Sequence, residues 1–179
     1  MLQEIYDKEK ILFDLSQKDV KLFGKYAIEK NYNLFTPTKK EDTKEFWDIG
    51  IEKGNKEARV QVKGYTDAHK HNYVQIELKS TQTDNLGRNI DGWLYGKATI
   101  LALRFNDSFE LYDMRKLKKY IEETLDFTLP IIMKKYCLDD EEKQVDYERM
   151  KYRQYNRRGD IMVAIPIEDI EKFKIAKWG

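Results

Sequence analysis

Three runs that alternate apolar and polar residues follow one another closely: FWDIGIE (46–52), ARVQVKG (58–64) and NYVQIELK (72–79). Side chains alternate across a strand, so each run reads as a strand with one apolar and one polar face. Lys53-Gly54-Asn55-Lys56 joins the first two, with Gly-Asn supplying the positive backbone dihedrals of a tight hairpin. The polar loop at Asp67-Ala68-His69-Lys70 joins the second to the third, which predicts a meander of three antiparallel strands.

Before the meander, Val20, Phe23, Tyr26 and Ala27 recur at helical spacing between Leu15 and Lys30, predicting a first helix that lays one stripe on the sheet. NLFTPTKKED (33–42) reads as a loop around Pro37. After the meander, KATILALRF and SFELYDM, separated by Asn106-Asp107, read as a fourth and fifth strand, and RKLKKYIEETL as a helix. Residues 129–158 show no clear period and read as helix or loop. IMVAIPI reads as a late strand and EDIEKFKIAKW as a short terminal helix.

If the apolar faces pack on the first helix, Trp47, Ile49, Ile51, Val60, Val62, Val74, Ile76 and Leu78 point inward. Asp48, Gln61, Lys63 and Glu77 then emerge together on the opposite face. Two acids, an amide and an ammonium in one place suit metal-dependent phosphodiester hydrolysis, in which oxygens hold Mg²⁺ and a Lys orients water. Asp48, twelve intervening residues, and then Gln61-Val62-Lys63-Gly64 closing a strand resembles the PD-(D/E)xK nuclease signature, in the variant with Gln in place of the acid. An acid-bearing strand (YVQIEL) after the x-Lys strand and the Gly92-Trp93-Leu94 segment extend the resemblance. It covers about Val20 to Leu78. Trp47 stands where the family has Pro, and Glu77-Leu78-Lys79 is a second, lower-ranked acid-x-Lys match.

The resemblance implies a single α/β domain of restriction-endonuclease-like fold, a central mixed sheet flanked by helices. Its core is expected at about 15–128, with a helix/strand/helix extension at 129–179. It implies Asp48 as principal metal ligand, Gln61 and the Val62 carbonyl as further ligands, Glu77 completing the shell, and Lys63 contacting water or phosphate. Mg²⁺ or Mn²⁺ is the implied cofactor, DNA the implied substrate, and a homodimer fits an enzyme that cuts two strands. The rival reading is a catalytically silent module of the same fold that binds DNA or a protein partner. Asp48→Ala and Lys63→Ala are expected to abolish cleavage with thermal stability nearly unchanged.

Between Tyr147 and Arg158, tyrosines interleave with Arg149, Lys151, Arg153, Arg157 and Arg158, a pattern that suits phosphates and stacked bases or, equally, a basic face over packed tyrosines. The chain's 33 Lys and Arg nearly cancel its 32 Asp and Glu, so any basic surface is local. Cys137 excludes an internal disulfide, His69 and His71 form no zinc set, and no run approaches the ~18 apolar residues of a membrane span. These features point to a cytoplasmic protein. Trp93 and Trp178 read as core anchors.

Overall fold

A computed structural model describes residues 18–39, 41, 45–64, 72–83, 89–132, 151–157 and 159–179. The chain is of mixed α/β class and divides into two compact units, the first formed by residues 1–66, 97–114 and 174–179 and the second by 67–96 and 115–173.

The first unit is built on a mixed sheet of six strands, in the order Asn33–Phe35, Ile49–Lys53, Lys56–Lys63, Ile100–Phe105, Ser108–Asp113 and Lys174–Trp178. Helix α1 (Lys18–Glu29) turns Val20, Phe23 and Ala27 onto it, as the periodicity predicts. The helix ends at Asn31, whose φ of 61° is a left-handed cap, and the Tyr32 N–H closes onto the Ala27 carbonyl at 2.9 Å. Directly after it, Asn33–Phe35 forms edge strand β1 rather than a loop. Leu34 enters the core, while Phe35 covers the α-carbon of Gly50, where a Cβ would lie 2.1 Å from the ring.

Strands β2 (Ile49–Lys53) and β3 (Lys56–Lys63) form the predicted hairpin, with Lys53 opposite Lys56 and Gly54 at φ 61°. Strands β6 (Ile100–Phe105) and β7 (Ser108–Asp113) form another through Asn106, at φ 53°. Ile49, Ile51, Val60, Val62, Ala102, Phe109 and Leu111 meet α1 from the sheet.

The predicted meander stops at the hairpin. The second edge of β3 is taken by β6, in parallel. A parallel pair needs a crossover of a dozen or more residues, and here the crossover contains the run whose alternation predicts an extension of the hairpin sheet. That run is β4 (Tyr73–Thr83), which pairs with β5 (Asn89–Asp91) and β9 (Asp160–Pro166).

The terminal helix expected over EDIEKFKIAKW is also corrected. Only Ile167–Ile170 is α-helical (α3), and Lys174–Trp178 is strand β10 along β7. Its short period-2 tail puts Ala176 and Trp178 into the core. The Trp178 ring stacks on Phe23 at 5.0 Å, and Phe23 meets Phe109 edge-on at 5.4 Å, contacts worth about 0.5–1.5 kcal/mol each beyond their buried area.

The second unit carries a four-stranded sheet in which β4 lies between β5 and β9 and a fourth strand lies on the far side of β9. Strand β8 (Gln154–Arg157) lies in the stretch read as helix or loop, and α2 (Met114–Thr124) begins at the end of β7 as predicted. Gly92 donates to the Leu78 carbonyl at 2.9 Å, and a Cβ there would lie 2.3 Å from the Glu77 carbonyl oxygen. Only glycine permits that approach, which lets a 3-10 turn (Trp93–Tyr95) bury Trp93 and Leu94 against β4. Trp93 and Trp178 are both buried, as core anchors.

Candidate functional site

The first unit brings Asp48 and Gln61 together. Gln61 is buried at 5% exposure, its neighbours Val60 and Val62 face α1, and so its amide leaves on the opposite face. There Gln61 Nε2 donates to Asp48 Oδ2 at 2.9 Å, and the Val62 N–H donates to the same oxygen at 2.7 Å. Asp48 precedes β2 and supplies with its carboxylate the acceptor that a longer β2 would have supplied with a carbonyl. A strand residue's N–H and C=O leave along the same edge, so the Val62 carbonyl also faces the Asp48 side.

Lys63, half-buried, alternates with Val62 and therefore shares the face of Gln61 and Asp48. The next residue, Gly64, meets the helix side. A Cβ there would lie 1.8 Å from Asp19 Oδ2 in the first turn of α1, and the Asp19 carboxylate is ion-paired with Arg104. The glycine that ends the motif thus packs against Asp19, a residue that the motif itself leaves out. Its one signal in the sequence is an acid in a helix's first turn.

Trp47 departs from the expected alternation. Phe46 has a φ of 50°, a left-handed conformation rare for a bulky residue, and it turns the chain just before β2. Trp47 is buried, but against Phe35 at 5.7 Å and the Arg59 guanidinium at 5.5 Å, on the site face rather than beneath α1. Glu45 stands between Lys97, at 2.7 Å, and Arg59, at 3.9 Å. The hydrogen bond from Lys97 holds its carboxyl below the usual range.

Glu77 is placed differently from the expectation. It lies in β4 opposite Met162 of β9, and β3 pairs with β2 and β6. Strand pairing therefore does not carry Glu77, or the alternative Glu77-Leu78-Lys79 match, alongside Asp48 and Gln61.

Of the basic set, Arg149 and Arg158 lie outside the described residues, as do His69, His71 and Cys137, and Arg157 is described only as part of β8. Lys151 is half-buried beside the Tyr152 ring, and Arg153 Nη2 donates to the Pro130 carbonyl at 3.4 Å. Tyr155 is core, packed with Met162 and Ala164. The Tyr152 hydroxyl donates to Asp169 and meets that of Tyr120 at 3.1 Å; burial and these contacts push its ionisation well above the ordinary tyrosine range. Tyr152 and Tyr155 of this stretch therefore pack within the second unit instead of standing out as stacking platforms.

Among the described residues no group of three or more His, Cys, Asp and Glu side chains is placed to hold a metal. The donor set that does exist is one carboxylate, one amide oxygen and one backbone carbonyl. Gln61 Oε1 is buried and has no hydrogen-bond partner among the described residues. A buried acceptor in that state costs about 1–3 kcal/mol, which a cation ligated there would recover. All three donors are oxygens, as a hard cation requires, and Mg²⁺ is commonly held by one or two carboxylates with water and substrate phosphate. The residues present fit such an ion.

No helix among the described residues is long and apolar enough to cross a membrane. Comparison with protein-family models, curated proteins and solved structures finds no match to the chain.

Proposed function

We propose that the chain is a metal-dependent nuclease of the PD-(D/E)xK kind, with restriction-endonuclease-like topology, that hydrolyses DNA phosphodiester bonds. The observation that carries the reading is the buried Gln61 amide. Its nitrogen is committed to Asp48, and its oxygen, without a hydrogen-bond partner among the described residues, lies on the same strand end as Lys63.

Asp48, Gln61 Oε1 and the Val62 carbonyl would hold Mg²⁺ or Mn²⁺. The ion, when bound, supplies an acidified water and neutralises charge on the phosphate. Asp48 fixes the Gln61 amide and the end of β3, so the donors are in place before substrate arrives. Lys63 orients water or a phosphate oxygen from the same face. Arg149, Lys151, Arg153, Arg157 and Arg158 would supply the positive charge that DNA phosphates need, and a homodimer would provide a second site for a second strand. The lone cysteine suits a reducing cytoplasm.

A second reading, a silent module of the same fold, is favoured by the engagement of Asp48 Oδ2 with two N–H donors, which makes the side chain a cap on β3. A melting titration separates the two. If the site binds metal, Mn²⁺ at about 100 times its Kd stabilises the protein by about 2.7 kcal/mol, and Asp48→Asn removes the gain. A flat titration of the wild-type protein favours the silent module.

A further inference from the structure

A hollow of about 540 Å³ in the second unit lies between Tyr95, Phe127 and Ile131, with Lys79, Asp91 and Gln154 at its sides. That volume lies within the range of small-ligand sites. Phe127 is 46% exposed, yet it is not on a loose tail. Asp126 accepts from the Thr128 N–H at 2.9 Å, and Gln154 Nε2 reaches the Phe127 carbonyl at 3.5 Å, so both sides of the ring's backbone are tied down. The hydrogen bonds from Thr128 hold the Asp126 carboxyl below its ordinary range. Phe127 and Ile131, 46% and 38% exposed, therefore leave apolar surface open at the hollow.

A second aromatic ring, Tyr95, also lines the hollow. Tyr95 is half-buried in the turn clipped by Gly92, and burial raises its ionisation, so it stays a neutral ring. The Lys118 ammonium lies 4.7 Å from its centroid, and Lys79, exposed on β4, faces Asp91 across the ladder to β5. Two rings, two flanking ammonium groups, and a carboxylate and an amide with hydrogen-bonding capacity match a particular ligand. It is flat and aromatic, has donors and acceptors on its edge, and carries negative charge beside the ring.

We propose that the hollow binds an unstacked base of single-stranded DNA, with the ring against Phe127 and Tyr95, the base edge at Asp91 and Gln154, and the adjoining phosphates near Lys79 and Lys118. The choice of DNA as the polymer rests on the nuclease reading. A duplex keeps its bases stacked and paired and cannot offer one to the hollow without first extruding it, at a cost of a few kcal/mol. Binding of the flat face is tolerant of sequence, because every base has one.

The test is anisotropy of a labelled oligo(dT) of about 16 nucleotides, the upper end of the site size for one single-strand-binding module, in EDTA and low salt. The wild-type protein should bind it in preference to a duplex of the same length. Phe127→Ala should weaken binding by about tenfold or more, and Lys79→Ala should lower the salt dependence by about one released counterion. Both residues are exposed, so both variants should fold. No binding, preference for the duplex, or binding indifferent to both substitutions overturns the proposal, as does displacement of the oligonucleotide by an amphipathic peptide but not by free nucleotide. Cleavage is scored apart, with Mn²⁺. Oligonucleotide binding sensitive to Phe127→Ala, without cleavage, keeps the hollow and removes the nuclease reading; cleavage without such binding does the reverse.

Discussion

Lys63→Met is expected to lower the rate of Mn²⁺-dependent DNA cleavage by at least about a hundredfold, the scale on which a positioned group near the reacting phosphate contributes. The melting temperature should stay within a few degrees of wild type. The argument is one of position. Lys63 is the last residue of β3, half-buried, on the face of Gln61 and Asp48, and methionine retains most of its apolar stem. An ion pair of a partly exposed lysine contributes about 0–1 kcal/mol to stability, so folding should scarcely register the change. Lys63→Arg should not restore the rate, because a planar guanidinium cannot occupy the place of a compact ammonium. Rate and melting temperature measured on the same preparations decide the matter. Cleavage that survives Lys63→Met removes Lys63 from the reaction.

Asp48→Ala is expected to lower stability as well as abolish cleavage, which reverses what the sequence alone suggests. Two N–H donors converge on Asp48 Oδ2, one from the side chain of a residue only 5% exposed and one from the strand backbone. Alanine leaves both without an acceptor. Each such loss costs about 1–3 kcal/mol, so the sum is about 2–6 kcal/mol, or roughly 4–24 °C in Tm for a chain of this size. Asp48→Asn separates the roles. Its amide oxygen still accepts from Val62 and Gln61, so most of the stability returns, but it brings no negative charge for a cation. We expect the Asp48→Asn protein to melt within a few degrees of wild type and to be inactive. An alanine variant as stable as wild type would contradict the capping role, and an active asparagine variant would contradict the metal role.

Much of the first unit is legible in the sequence because its signals are local. Gly54-Asn55 and Asn106-Asp107 announce their hairpins through residues that tolerate positive φ, and Val20, Phe23 and Ala27 announce the helix face. The Asp48 and Gln61 encounter follows from the hairpin register and is legible for the same reason. What fails is non-local. Nothing in YVQIELK states that β3 will take β6 as a parallel neighbour while β4 joins β9, because alternation specifies faces and not partners. The expected pairing of the Glu77 strand with β3 fails for that reason. Trp47 is misread because the turn before it is made by Phe46, a residue type that gives no warning of a positive φ. β10 is missed because five residues at the end of a longer charged run carry too short a period to compete with the helical one, although Trp178 needs the strand to reach Phe23. Phe127 sits in a polar turn, where an isolated aromatic has no periodicity to place it.

The most direct measurement is a crystal soaked in Mn²⁺ and examined at the manganese absorption edge. The nuclease reading expects an anomalous peak about 2.0–2.3 Å from Asp48 and Gln61 Oε1, with the Val62 carbonyl beside it, allowing for the small difference between Mg²⁺ and slightly larger ions. Manganese elsewhere on the molecule with none at Asp48, or none at all at concentrations that saturate nucleases, would contradict it and leave Asp48 as the cap of a strand.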